Sequence, residues 1–157
     1  MKILLLVIGK TDEKYLVEGM EKYRKRLKYY IGFDYEEIPD IKNRKSLSEF
    51  EQKKLEGALI LSKLKAGDKL VLLDDKGKDY HSIGFAKYLQ QQMNSGIKRL
   101  VFVVGGPYGF DELVYQKSQG KLSFSKKTLS HQMIRLFIIE QVYRAMTILK
   151  NEPYHHE

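Results

Sequence analysis

Short apolar runs alternate along the chain with stretches in which apolar residues recur every three or four positions. Lys2–Ile8 is a buried-strand run closed by Gly9. From Glu13 to about Tyr29 the positions 16, 20, 23 and 27 are apolar or aromatic, a helical period. Phe33–Ile38 reads as a second strand, ended by Pro39, and Asp40–Lys45 as a flexible polar loop. Ser46 or Ser48 is placed to cap a helix running to about Leu64, with Glu49 three residues after Ser46 as in a capping box. Lys69–Leu73 is a third strand, followed by a turn over Asp74–Lys78. A helix from Ser82 to about Met93 and a β-branched strand over Arg99–Val104 come next. Gly105–Gly109 is a glycine-rich loop, Asp111 caps a short helix, and Lys121–Phe124 is a short strand. Ser130 caps a last helix reaching about Lys150.

This order predicts an α/β domain with a mainly parallel sheet and helices on both faces. Leu70–Leu73 and Leu100–Val104 are apolar at every position, as central parallel strands are. The 157 residues suit one domain, 1–157, with enough core to need neither disulfide nor metal. With no cysteine, a thiol nucleophile, a thiolate zinc site and an iron–sulfur cluster are excluded. The apolar opening run stops after Ile8, too short for a signal peptide, and no run approaches a membrane span. The cytoplasm is therefore the expected compartment. A net charge of +8 and a pI near 9.4 suit a polyanionic partner such as nucleic acid. The helix Lys22–Tyr30 concentrates five cations and three tyrosines, suited either to phosphates and unpaired bases or to a solvated face.

Candidate chemistry gathers at strand ends. Val104 runs directly into Gly105-Gly106-Pro107-Tyr108-Gly109, where bare backbone admits a ligand; an ordinary strand-to-helix turn would look the same. Leu73-Asp74-Asp75 and Phe124–Leu129 end strands in the same way. The last helix is apolar nearly all round, which points to a subunit interface or to a central place within one chain. Arg135, Glu140, Gln141 and Arg144 interrupt it, and buried charges require partners. The terminal pair His155-His156 beside Glu157 is a poor metal site, so no metal is expected. A dinucleotide-dependent oxidoreductase would show GxGxxG after the first strand, where this chain has Gly9-Lys10-Thr11-Asp12.

Read together, these segments resemble the SPOUT-class methyltransferases, closely the ribosomal large subunit methyltransferase H family. The likeness runs from the Met1–Lys10 opening through Leu73–Lys78, Val104–Gly109, Leu122–Ser125, Thr128–Met133 and Glu140–Ala145 to Pro153-Tyr154-His155. Ser130 departs from it, standing where the family commonly has proline. The resemblance implies a carboxyl-terminal trefoil knot, a homodimer with the knot helices at the interface, and S-adenosylmethionine as cofactor. It places the adenosine contacts on Leu73, Gly105, Phe124, Ser125, Lys126, Lys127, Thr128 and Leu129. The implied reaction is methylation of N3 of a pseudouridine in 23S ribosomal RNA, with the assembled ribosome as the expected substrate. Arg144, Tyr154 and His155 are the candidates for the acceptor side. The alternative is a non-catalytic RNA-binding module on the same fold.

Overall fold

The computed structural model describes residues 1–125 and 127–156; Lys126 and Glu157 lie outside the described residues. Five parallel strands form one sheet in the order β2-β1-β4-β3-β5 among them. They are β1 (Lys2–Ile8), β2 (Gly32–Ile38), β3 (Asp68–Asp79), β4 (Arg99–Val104) and β5 (Gly120–Ser123). The helices are α1 (Lys14–Leu27), α2 (Glu49–Ser62), α3 (Ser82–Asn94), α4 (Glu112–Lys117) and α5 (Met133–Leu149). The α/β expectation holds, with helices on both faces. Ile3, Leu5, Val7, Leu100 and Phe102 turn to a core shared with α1, α3 and α5. Leu4, Leu6, Leu70, Leu72 and Val103 turn to a second core under α2 and α4. Alternate residues feed opposite cores because side chains alternate across a strand, and this is why β1 and β4 are apolar at every position after the first.

Three local readings change. The cap of α2 is Ser48, not Ser46: its hydroxyl accepts from the Glu51 amide at 3.2 Å, and its own amide donates to Glu51 Oε2 at 2.9 Å. Both Ser-x-x-Glu spacings are present, and the one adjoining the apolar turn of α2 is used. β3 does not end at Leu73. After a register shift Lys78 and Asp79 return to pair with Leu122 and Ser123, so 74–77 bulges out at the sheet's edge. Gly77 makes this possible, since a Cβ there would lie 2.6 Å from the Leu122 backbone nitrogen. Ser130 does act as a cap, its hydroxyl accepting from the Met133 amide at 3.0 Å, although regular helix begins only at Met133.

Most of the apolar surface of α5 is explained within one chain, because the helix lies between α1 and α3. Ile138, Ile139, Val142, Ala145 and Met146 are buried. Met133 and Phe137 remain outward, one helical turn apart. Arg135 is wholly buried and donates to the carbonyls of Ile8, Gly9 and His131 and to the Thr11 hydroxyl at 2.6–3.0 Å. It ties the start of α5 to the end of β1. No helix among the described residues is long and apolar enough to cross a membrane.

Candidate active site

At the carboxyl ends of β4 and β5, beside the bulge of β3, the chain encloses a cavity of about 370 Å³. Open parallel sheets offer ligand sites at this end, and the volume falls in the range of small-molecule pockets. Leu73, Gly105, Phe124, Ser125, Lys127, Thr128 and Leu129 all line it, although they come from three separate stretches of sequence. Lys126 lies outside the described residues. Ile134 of α5 completes the wall.

The cavity's shape has local causes. Phe124 sets its ring edge-on against Phe85 of α3, 5.1 Å between centroids, and against Phe137 of α5 at 6.2 Å. The loop between them is thus anchored in both helices. Ser123 and Ser125 tighten the loop further: the Ser123 hydroxyl donates to the Ser125 carbonyl, and the Ser125 hydroxyl accepts from the Lys127 amide, both at 2.9 Å. Gly105 leaves room for the Phe110 ring, which a Cβ would approach to 3.1 Å.

Asp74 and Asp75 give the cavity wall an acidic sector in an otherwise basic protein. Burial alone would raise the Asp74 carboxyl. The Tyr115 hydroxyl at 2.6 Å, the Lys76 amide at 2.8 Å and the charge of Lys121 outweigh it and hold Asp74 below the usual range. Asp74 is therefore a fixed negative charge at neutral pH, in a position that favours a cationic ligand.

Arg144, Tyr154 and His155 form a second cluster away from this cavity. Glu140 organises it and was not singled out in the sequence for such a role. Its Oε1 accepts from Arg144 at 2.6 and 3.1 Å and from the Tyr154 hydroxyl at 3.0 Å. The Arg144 guanidinium lies over the Tyr154 ring, 4.8 Å from its centroid, and 3.4 Å from His155 Nδ1. Tyr23 of α1 meets the Tyr154 hydroxyl at 3.2 Å, so the chain end is fastened to two helices. Burial, then the hydrogen bonds with Tyr23 and Glu140, push the Tyr154 phenol well above its ordinary range and keep it neutral. Arg144 stands ten residues along α5 from Ile134, about 15 Å at 1.5 Å per residue. The two clusters are thus distinct within the chain, a separation that sequence order does not reveal. Among the described residues no group of three or more His, Asp or Glu is disposed to hold a metal.

Comparison with known proteins decides the family. A family model described as "Predicted SPOUT methyltransferase" matches residues 1–155. The chain belongs to the SPOUT methyltransferase family. Proteins named "Ribosomal RNA large subunit methyltransferase H" are similar along the whole length. The one from Flavobacterium johnsoniae is 62% identical over 157 residues, all of both chains. That from Parabacteroides distasonis is also 62% identical over the full length of both, and one from Porphyromonas gingivalis is 52% identical with the same coverage. A methyltransferase draws on a methyl donor, and the strand-end cavity offers a glycine turn, hydroxyls and an acidic sector that suit a small cationic ligand.

Proposed function

We propose that this SPOUT methyltransferase transfers a methyl group from S-adenosylmethionine to N3 of a pseudouridine in large-subunit ribosomal RNA, acting as a homodimer on the assembled ribosome in the cytoplasm. The observation that carries the reading is the convergence of Leu73, Gly105, Phe124, Ser125 and 127–129 on one cavity with an acidic wall, in a chain whose full-length relatives bear the name of an rRNA methyltransferase. Bound there, S-adenosylmethionine supplies a methyl group already activated by its sulfonium, so no covalent enzyme intermediate is needed. Gly105, Ser125, Thr128 and Leu129 hold the nucleoside half, and Asp74 and Asp75 favour the positive end.

The acceptor is a ring imide, which must lose a proton as it attacks. Arg144 keeps its positive charge and stabilises the negative charge spreading to the ring carbonyls. His155 accepts the proton, and Tyr154 holds Arg144 in place. These groups reach a methyl donor only across a subunit boundary. Met133, Phe137, Gln141 and Arg144 recur every three or four residues, so they share one stripe of α5. Two copies of α5 paired antiparallel along that stripe, with a two-fold axis near position 139, set the Arg144 end of one against the Ile134 end of the other. Donor and acceptor groups then meet from opposite protomers. The trefoil knot expected of the family belongs to the same reading.

Calorimetric titration with S-adenosylmethionine is the first test: sub-millimolar binding is expected, and its absence favours a non-catalytic RNA-binding module. Mass mapping of ribosomal nucleosides from cells with and without the protein should then locate a single methylated pseudouridine. For the shared site, Gly105→Trp (blocked cavity) and Arg144→Ala are each expected to be inactive as homodimers. Mixed and re-equilibrated, they should recover activity through the mixed dimer; no recovery would rule out a site built across the two subunits.

A further inference from the structure

The glycine turn after β4 is backed by a carboxyl group. Glu56, on α2, is 3% exposed. Its Oε1 accepts from Gln52 Nε2 at 2.8 Å, and Gln52 is itself buried. Oε2 has no hydrogen-bond partner among the described residues. A Cβ at Gly106 would fall 2.5 Å from Oε2 and 2.9 Å from Oε1, so the carboxyl fills space that any other residue at 106 would claim. Gly105, Gly106 and Pro107 of the same turn also line the donor cavity. One thickness of backbone separates Glu56 from the ligand site.

The elements around this carboxyl bring both neutral and charged groups. Gln52 is neutral. The segment after β2 brings Asp40 and Arg44, which pair with each other at 3.2 Å. α4 brings Asp111 near Gly57, with its carboxylate accepting from the Leu113 amide at 3.0 Å. No lysine or arginine among the described residues forms an ion pair with Glu56. Burial is the largest influence and moves the carboxyl above its usual range, against the lowering by the Gln52 amide; Asp40 adds to the rise and Arg44 opposes it.

We propose that Glu56 is a positioning residue for the methyl donor, a buried carboxyl wedged behind Gly106 that fixes the Gly105–Gly106 turn in the form on which the donor's nucleoside rests. The inference builds on the reading above and extends it to α2, which carries no lining residue of the cavity among the described residues. What holds the turn is the bulk of the side chain and its bond with Gln52, so donor affinity follows their presence.

Calorimetry with S-adenosylmethionine on the wild type, Glu56→Gln and Glu56→Ala tests it. Glu56→Gln keeps the size and shape of the side chain and is expected to bind the donor within about twofold of the wild type. Glu56→Ala leaves the turn unsupported and should bind about tenfold more weakly. In steady state that loss appears in KM for the donor, with kcat at saturating donor retained. Amide exchange at Gly106 and Gly109 should quicken in Glu56→Ala. Wild-type affinity in a folded Glu56→Ala, or a Glu56→Gln as weak as Glu56→Ala, overturns the proposal. If Glu56→Ala does not fold, Glu56→Asp, which withdraws the carboxyl from Gly106, takes its place with the same expected weakening, and wild-type affinity in it overturns the proposal. Donor binding indifferent to Glu56 removes this inference only, whereas a wild type that binds no donor removes the methyltransferase reading and this one with it.

Discussion

Arg135 gives its guanidinium protons to the Ile8, Gly9 and His131 carbonyls and the Thr11 hydroxyl, all inside the protein. An apolar replacement leaves these acceptors buried without donors. Arg135→Leu is expected to cost about 3 kcal/mol and to lower Tm by roughly 10 °C, measured by thermal unfolding. Gly77 is constrained by shape instead. Gly77→Ala drives a methyl into the Leu122 backbone, so destabilisation of about 2–3 kcal/mol is expected, with weakened donor binding because the bulge carrying Asp74 and Asp75 moves. Asp68 offers a pH readout. Burial would raise its carboxyl, but the Arg99 guanidinium and the Lys65 amide outweigh that and hold it below its ordinary 3.8. A lowered folded value means the stabilisation is fully present above pH 3.8 and is lost as pH falls through the lower folded value. Urea unfolding of the wild type and Asp68→Asn should differ at neutral pH and converge in acid.

Among the elements, β1 and β4 were legible because a strand covered on both faces leaves an unbroken apolar run, and their observed bounds match the pattern. The return of β3 was hidden, since Lys78 and Asp79 look like turn residues and pair only through a contact with β5, more than forty residues away. The three cavity loops were legible from glycines, acids and hydroxyls at strand ends. The support behind them was not: Gln52 and Glu56 are polar letters in a helix, and nothing in the pattern reports their burial. The apolar character of α5 fitted two explanations, and the structure divides it between a core and an outward stripe. Glu140 was visible only as an interruption in that helix. Its carboxylate holds both Arg144 and Tyr154, so Glu140→Gln is expected to lower kcat about tenfold or more with donor affinity unchanged. Single-turnover methylation beside calorimetry separates the two quantities.

For the whole molecule, the structure sorts the cations of α1. Arg24 pairs with Glu21 and lies over the Tyr35 ring, and Arg26 lies over the rings of Tyr23 and Tyr143. Lys22, Lys25 and, just past the helix end, Lys28 are exposed lysines on the same segment, Lys22 with its amine 6.0 Å from the Tyr23 ring centroid, and all three are placed to meet phosphates. Replacing all three with Gln should weaken ribosome binding and reduce the slope of log affinity against log salt by about 2–3, leaving the donor constant unchanged. Titrations at several salt concentrations measure this. α5 links the two clusters of the protein, and both of its ends are held. Arg135 fixes its first turn to β1, and the Tyr23–Tyr154–Glu140 network fixes its far half to α1 and the chain end. A rod nailed at both ends has no stroke. In the dimer proposed above, an occupied pocket cannot signal to the other half by a sliding of that rod.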